Sequence, residues 1–278
     1  MNVISTNDDF KKAVKLYFDN PEQCIQEYGA IEDWDVSRVT DMNHAFDGRD
    51  EFNADLSKWD VSNVIYMKRT FTGCKNFNQD ISGWNVENVV SMLGMFSGCT
   101  KFNKDISGWN VENVSNMNSL FFGCSNFNQN LSSWNIKSVR MMSGMFENCE
   151  KFNQDLSSWD VRNVQKMLFL FYGCSEFNQD ISGWQISALA NTQSMFAGCD
   201  KYSFQKPNLK EWQEINQPII DTECCVTFNM ITANDRYITC NICNKHFHFE
   251  VKELWIDNYH NCPHCKSKWN NEIVYCNC

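Results

Sequence analysis

Residues 77–101 read FNQDISGWNVENVVSMLGMFSGCTK, and residues 102–126 read FNKDISGWNVENVSNMNSLFFGCSN. This near-copy belongs to a longer series. Tryptophan returns every 25 residues at Trp34, Trp59, Trp84, Trp109, Trp134, Trp159 and Trp184. Phenylalanine keeps the same period at Phe46, Phe71, Phe96, Phe121, Phe146, Phe171 and Phe196, and cysteine at Cys74, Cys99, Cys124, Cys149, Cys174 and Cys199. A fixed period without insertions is the mark of a solenoid. Each repeat is one coil, too small to bury its own apolar face, and stacking the coils makes a continuous core.

Inside one coil the pattern changes period. Phe77, Ile81, Trp84 and Val86 have the aromatic and β-branched character of a strand and its turn. Val89, Met92 and Phe96 are spaced as one face of a short helix, with Asn63, Asn88, Asn113 and Asn163 where an N-cap would stand. Glycines at 73, 98, 123, 173 and 198 permit a left-handed backbone at the end of the turn. One strand and one helical turn per coil is leucine-rich-repeat geometry.

The Trp, Phe and Met columns read as core. The Cys column reads as small buried thiols in preference to a chain of disulfides. Asp55, Asp80, Asp105, Asp155 and Asp180, with Asn130 interrupting them, read as turn-stabilising hydrogen bonders in preference to calcium ligands. The repeats contain one histidine, His44, and no Ser/His/Asp or Cys/His grouping, so no catalytic residue is expected there. The end coils are atypical, as terminal repeats are. Arg49 replaces the cysteine of the first, and Gln185, Ala188 and Thr192 depart from the pattern in the seventh.

The string FNQDISxW(D/N)VxNVxxMxxMFxGC resembles the BspA-like leucine-rich-repeat family, the mycoplasma-lipoprotein type of repeat, over residues 28–203. The entry, DDFKKAVKLYFDNPEQCIQEYGAIEDWDVSRVTDM, is similar to that family's usual opening. It places Phe10, Val14 and Phe18 on one helical face suited to capping the stack. The family occurs on bacterial surfaces, in some protists and in giant DNA viruses, and the resemblance implies an origin of the protist or giant-virus kind.

Residues 204–222, FQKPNLKEWQEINQPIIDT, break the period, carry two of the four prolines and read as a linker. Beyond them Cys240-x2-Cys243 and Cys262-x2-Cys265 are separated by eighteen residues. Each CxxC makes a tight knuckle, and two knuckles supply the tetrahedral sulfur shell that zinc prefers. Without the metal, so short a segment has little core to hold it folded.

The same segment resembles a RING-type zinc domain, a fold that usually docks ubiquitin-conjugating enzymes. ECCVTF is similar to the opening, with Cys224 in the first ligand place; HFHFEVKELW is similar to the central run, with His248 in a ligand place; CPHCK closes the pattern. The resemblance implies one complete site, Cys240, Cys243, Cys262 and Cys265, with His246 as an alternative to Cys243. A second site keeps Cys224 and His248 but has Thr227 and Val251 in its other places, so one zinc is expected. Cys225, Cys276 and Cys278 are the donors left to close the second. Val226, Trp255 and Pro263 stand where the family forms its apolar docking patch for a conjugating enzyme, and Lys266 where it clamps ubiquitin.

Composition sets the remaining bounds. The net charge is −10, of which residues 204–278 carry −2 from seven Lys/Arg and nine Asp/Glu, leaving −8 on residues 1–203. Neither part has the basic surface that binding nucleic acid requires. No apolar run reaches membrane-spanning length, and the start has no secretory pattern. Fifteen cysteines in that setting point to thiols and metal ligands in a reducing compartment, the cytoplasm, or a host's cytoplasm for a viral protein.

The expected fold is α/β: a helical cap over residues 1–27, a leucine-rich-repeat-like solenoid over 28–203, a linker over 204–222 and a small zinc-binding RING-like domain over 223–278. The expected function is an intracellular scaffold whose solenoid binds a partner protein. The alternative is a RING-type ubiquitin ligase that uses the solenoid to recognise substrates and positions a charged conjugating enzyme without a nucleophile of its own.

Overall fold

The computed structural model describes residues 4–207 in full and, beyond them, the backbone of 222–223, 230–231, 237–239 and 246–248. The chain divides into two compact units, Met1–Lys210 and Glu211–Cys278, the division falling inside the Pro-containing segment 204–222.

Two helices begin the first unit. In α1 (Asn7–Asp19) the Thr6 hydroxyl caps the N-terminus by accepting the Asp9 N–H at 3.1 Å, and Asp8 and Asp9 complement the positive end of the dipole. Asn20 ends α1 and caps α2 (Pro21–Tyr28), its side-chain carbonyl accepting the Gln23 N–H at 3.2 Å. Pro21 takes the first helical position, where no N–H is needed. The buried face of α1 presents Phe10, Ala13 and Val14. Phe10 meets Trp59 edge-on with centroids 5.9 Å apart, and Phe18 meets Phe46 at 6.3 Å. The Asn7 side-chain carbonyl accepts the N–H groups of Thr40 (2.9 Å) and Asp41 (3.1 Å). In later coils the equivalent N–H bonds the coil before, as Ile65 does to Thr40 and Val90 to Ile65. Asn7 therefore satisfies donors that have no preceding coil.

From there, residues 25 apart lie side by side. Parallel bridges join Asp41, Tyr66, Ser91, Asn116, Met141, Lys166 and Asn191 in one continuous ladder, one rung per coil. Apart from the 3-10 helix Ile31–Asp33 in the first, each coil is a path of tight turns containing neither a helix nor a strand longer than the bridged residue. Met92, Gly94, Phe96 and Gly98 donate to the carbonyls of Asn116, Asn118, Leu120 and Phe122 in the next coil, at 2.6–3.0 Å. Between them Met95, Ser97 and Cys99 donate three residues back within their own coil.

The short helix expected from Val89, Met92 and Phe96 is thus not formed. An α-helix sends every N–H along its own axis, whereas here alternate N–H groups leave for the neighbouring coil. Turns closed by i→i−3 bonds bring the same apolar residues inward. Asn63, Asn88, Asn113 and Asn163, with no helix to cap, donate their side-chain amides to the carbonyls of Ser37, Ser62, Glu87 and Lys137, at 2.8–3.0 Å.

The core is built of columns. Phe46, Phe71, Phe96, Phe121, Phe146, Phe171 and Phe196 stack with centroids 5.4–5.8 Å apart. A second stack runs from Phe52 through Phe77, Phe102, Phe127, Phe152 and Phe177 to Tyr202 at 5.9–6.1 Å. Burying each ring contributes about 1.5–3 kcal/mol, and the offset stacking adds about 0.5–1.5 kcal/mol per pair. The polar atoms of the core are matched across coils. Every indole N–H from Trp59 to Trp184 donates to the carbonyl 28 residues earlier, as Trp109 does to Ile81 at 3.1 Å. Every thiol of the Cys column does likewise, as Cys124 does to Phe96 at 2.9 Å.

The cysteines are separately buried and free, the arrangement read from their column. In coil seven the N–H groups of Thr192, Ser194, Phe196 and Gly198, which would cross to a next coil, meet no backbone acceptor among the described residues.

In the second unit β1 (Thr222–Glu223) pairs antiparallel with β2 (Met230–Ile231), and β3 (Tyr237–Thr239) with β4 (His246–His248). Tyr237 stands opposite His248 and Thr239 opposite His246, so residues 240–245 connect the two strands.

Candidate interaction surface

Seven aligned coils make the chain its own alignment: a column that must pack or turn keeps its residue, and a column free of those duties varies. The columns that start at Thr40, Asp41, His44 and Asp47 vary in size and polarity from coil to coil, while those that start at Ser37, Asp50 and Glu51 vary chiefly among polar and charged residues. The Asp47 column runs Thr72, Ser97, Phe122, Glu147, Tyr172 and Ala197, and the His44 column runs Arg69, Gly94, Ser119, Gly144, Phe169 and Ser194. Apart from the buried Gly94, Asn116, Gly144 and Ala190, the positions of these four columns are partly or fully exposed. They hold the exposed apolar side chains Ile65, Tyr66, Phe122, Phe169 and Tyr172.

The backbone of this face is demanding. All seven members of the His44 column have φ between +52° and +60°, including His44, Arg69, Ser119, Phe169 and Ser194. A non-glycine residue there costs about 1–2 kcal/mol, and such strain gathers where a side chain serves something other than the fold. At the N-terminal end of the face, His44 Nδ1 lies 2.8 Å and Arg69 Nε 3.2 Å from the same Asp47 oxygen.

The opposite turns carry the Asp columns. The carboxylates of Asp55, Asp80, Asp105, Asp155 and Asp180 accept the N–H two residues on, at 2.8–3.0 Å, and Asn130 does the same for Ser132 at 2.9 Å. This is the turn role, and it holds Asp55, Asp80 and Asp105 below the ordinary carboxylate range, chiefly through the backbone bonds from Ser57, Ser82 and Ser107. Asp160 is lowered to about 2, first by the hydrogen bond from the Arg162 guanidinium. Among the described residues no group of three or more His, Cys, Asp or Glu is placed to hold a metal ion, and no helix is long and apolar enough to cross a membrane.

Burial pushes the thiols upward, Cys74 to about 12 and Cys199 to about 11, with Cys99, Cys149 and Cys174 well above their ordinary value. These are inert packing groups, since the thiolate is the reactive form. Cys224, Cys240, Cys243, Cys262, Cys265, Cys276 and Cys278 lie outside the described residues, as do Val226, Trp255, Pro263 and Lys266. His248 contributes its backbone to β4.

One polar column was not singled out from the sequence. The asparagine of each FN pair accepts the N–H of its successor: Asn53 from Asn78, Asn78 from Asn103, Asn103 from Asn128, Asn128 from Asn153, Asn153 from Asn178, and Asn178 from Ser203, at 2.9–3.0 Å. Its signal was an unchanging polar residue beside an unchanging core phenylalanine.

A ladder of near-identical coils defines a tandem-repeat protein. The chain belongs to the family described as "Mycoplasma protein of unknown function, DUF285", which matches it twice, over residues 12–124 and 104–212. No curated protein and no solved structure matches the chain.

Proposed function

We propose that the coil stack is a leucine-rich-repeat-like solenoid serving as a protein-interaction scaffold, with the face of the Thr40, Asp41, His44 and Asp47 columns as its binding surface. The observation that carries this reading is that the exposed aromatic side chains of the described coils, Tyr66, Phe122, Phe169 and Tyr172, gather on that one face. Aromatic side chains on a polar background favour protein contact. The free, separately buried cysteines support a reducing, intracellular setting.

The C-terminal unit is proposed to bind one zinc ion through Cys240, Cys243, Cys262 and Cys265. The two CxxC pairs support this, the first lying in the connection between the paired strands β3 and β4. The second reading is a RING-type ligase, with Val226, Trp255, Pro263 and Lys266 docking a ubiquitin-conjugating enzyme. It rests on the sequence resemblance, and Thr227 and Val251 at the second site weigh against it.

A photo-crosslinking amino acid at Tyr66, on the variable face, is expected to trap a discrete set of proteins in expressing cells. The same group at Lys58, on the turn side, is expected not to trap that set. Identical adducts from both positions, or none from Tyr66, would overturn the scaffold reading. Native mass spectrometry should find one zinc per chain; none would remove the metal assignment. Autoubiquitination that is lost in Trp255→Ala would favour the ligase.

A further inference from the structure

Six positions on the variable face form a grid of two columns by three consecutive coils: Ser119 and Phe122, Gly144 and Glu147, Phe169 and Tyr172. The central row differs from its neighbours. Gly144 has no side chain, and a Cβ built there would stand 2.9 Å from Glu147 Oε2 and 3.5 Å from Ser119 Oγ. The Glu147 carboxylate therefore leans across the glycine into the middle of the grid. Phe122 and Tyr172 flank it in its own column, one coil to either side, 36% and 40% exposed. Phe169 follows Gly144 in the other column, 36% exposed, its ring edge-on to Tyr172 with centroids 5.8 Å apart.

Three features show that this arrangement does not serve the fold. Phe169 is held at φ +56°, where a bulky side chain is costly, and it remains about a third exposed. The half-buried Glu147 carboxylate makes no hydrogen bond or ion pair among the described residues, whereas the carboxylates of Asp47, at the start of the same column, and of Asp160 are paired. Burial pushes its carboxyl above the ordinary value with no cation to offset it. A carboxylate kept unpaired between aromatic faces is complementary to one kind of group, an organic cation. The acid supplies the charge partner and the rings supply negative π-faces.

We propose that Phe122, Glu147, Phe169 and Tyr172 form a notch that takes a single Lys or Arg side chain from an extended segment of a partner protein. This rests on the reading of the variable face as the binding surface, and it names the chemistry that surface selects. The −8 charge of residues 1–203 adds long-range attraction for such a segment. Gly144, with no Cβ, lets the Glu147 carboxylate lie between the two columns, with the Ser119 hydroxyl as a further acceptor beside it.

The test titrates the full-length protein with the acetylated, amidated heptapeptide Gly-Ala-Leu-Arg-Leu-Ala-Gly, following the backbone amides of residues 119–172 by NMR. The peptide with citrulline in place of arginine keeps the shape and removes the charge. The arginine peptide is expected to shift Gly144 and its neighbours saturably and to bind about tenfold tighter than the citrulline peptide, the factor for one charge-assisted contact in a half-buried site. Glu147→Gln is expected to erase that difference while leaving the unfolding midpoint unchanged, and Tyr172→Ala to weaken both peptides. Equal binding of the two peptides, unchanged discrimination in Glu147→Gln, or no shift at Gly144 would overturn the proposal. If the Tyr66 crosslinks persist in Glu147→Gln with unchanged yield, the notch fails while the scaffold reading stands. If Tyr66 traps nothing although the arginine peptide binds at Gly144, the notch stands and the broader surface fails.

Discussion

The side-chain carbonyl of Asn103 accepts the backbone N–H of Asn128 at 2.9 Å and the side-chain amide of Gln129 at 2.8 Å, while the N–H of Asn103 is held by Asn78 at 3.0 Å. One residue thus ties three successive coils. Asn103→Ala should lower stability by about 0.5–1.5 kcal/mol, the net value of an exposed hydrogen bond of this kind. Asn103→Asp, which keeps the acceptor, should lose less. Urea unfolding of the two variants checks the order.

The aromatic stack predicts a gradient with position. Phe121 packs against Phe96 and Phe146 at 5.8 Å and against Phe127 at 4.0 Å, and it is wholly buried. Phe121→Ala should cost about 3–5 kcal/mol through lost burial and the cavity it leaves. Phe196→Ala, in the last coil with one stacking partner of its own column, should cost clearly less. Thermal unfolding of both gives the comparison.

Two glycines of one coil should respond in opposite ways. Gly98 has φ +75°, and a Cβ there would stand 3.4 Å from Gly73 Cα, so Gly98→Ala should destabilise by about 1–2 kcal/mol. Gly83 does not have a left-handed φ, and its Cβ would meet nothing within 4 Å. Gly83→Ala should be neutral or stabilise by up to about 1 kcal/mol, through the unfolded chain. Equal losses at the two sites would refute this account of the turn.

Acid should loosen the stack through its turns. Asp55, Asp80, Asp105 and Asp180 are each lowered from 3.8 and Asp160 to about 2, so folding favours their charged forms. The stability they contribute is present above the unfolded value, near pH 4, and is lost as pH falls through their folded values toward pH 2. Asn130 already makes the same turn bond without a charge. The double variant Asp80→Asn, Asp105→Asn should therefore keep its stability at pH 7 and lose less of it between pH 4 and pH 2, measured by chemical denaturation across that range.

The thiols give a further check. Alkylation of the native chain with iodoacetamide at pH 7 should spare Cys24, Cys74, Cys99, Cys124, Cys149, Cys174 and Cys199, all buried, until the protein is unfolded. Early labelling of the column from Cys74 to Cys199 would show that the coils open far more readily than their packing allows.

Much of this architecture was legible in the letters because repetition multiplies weak signals. A single FNQDISGW says little, but Trp84, Phe96 and Cys99 returning in step make their columns inward-facing, and Asp80 recurring beside a turn gives it a local hydrogen-bonding role. The spacing of Val89, Met92 and Phe96 misled. It reports which residues point inward, and a turn path whose N–H groups alternate between its own coil and the next satisfies that spacing as well as a helix does. The cysteines proposed to hold zinc lie outside the described residues, and that proposal rests on the two CxxC spacings.

By itself the sequence determined the period, the residues that line the interior and the free state of the coil cysteines, because each follows from what one coil needs in order to bury its apolar side. Only the tertiary structure decided where the backbone hydrogen bonds go, that Asn7 substitutes for a missing coil, and that Phe122, Glu147, Phe169 and Tyr172 meet on one face. Those relationships join residues about 25 positions apart across neighbouring coils. They depend on the register of the stack and on the left-handed turn at Gly144 that lets the carboxylate lean in, which no stretch of chain encodes alone.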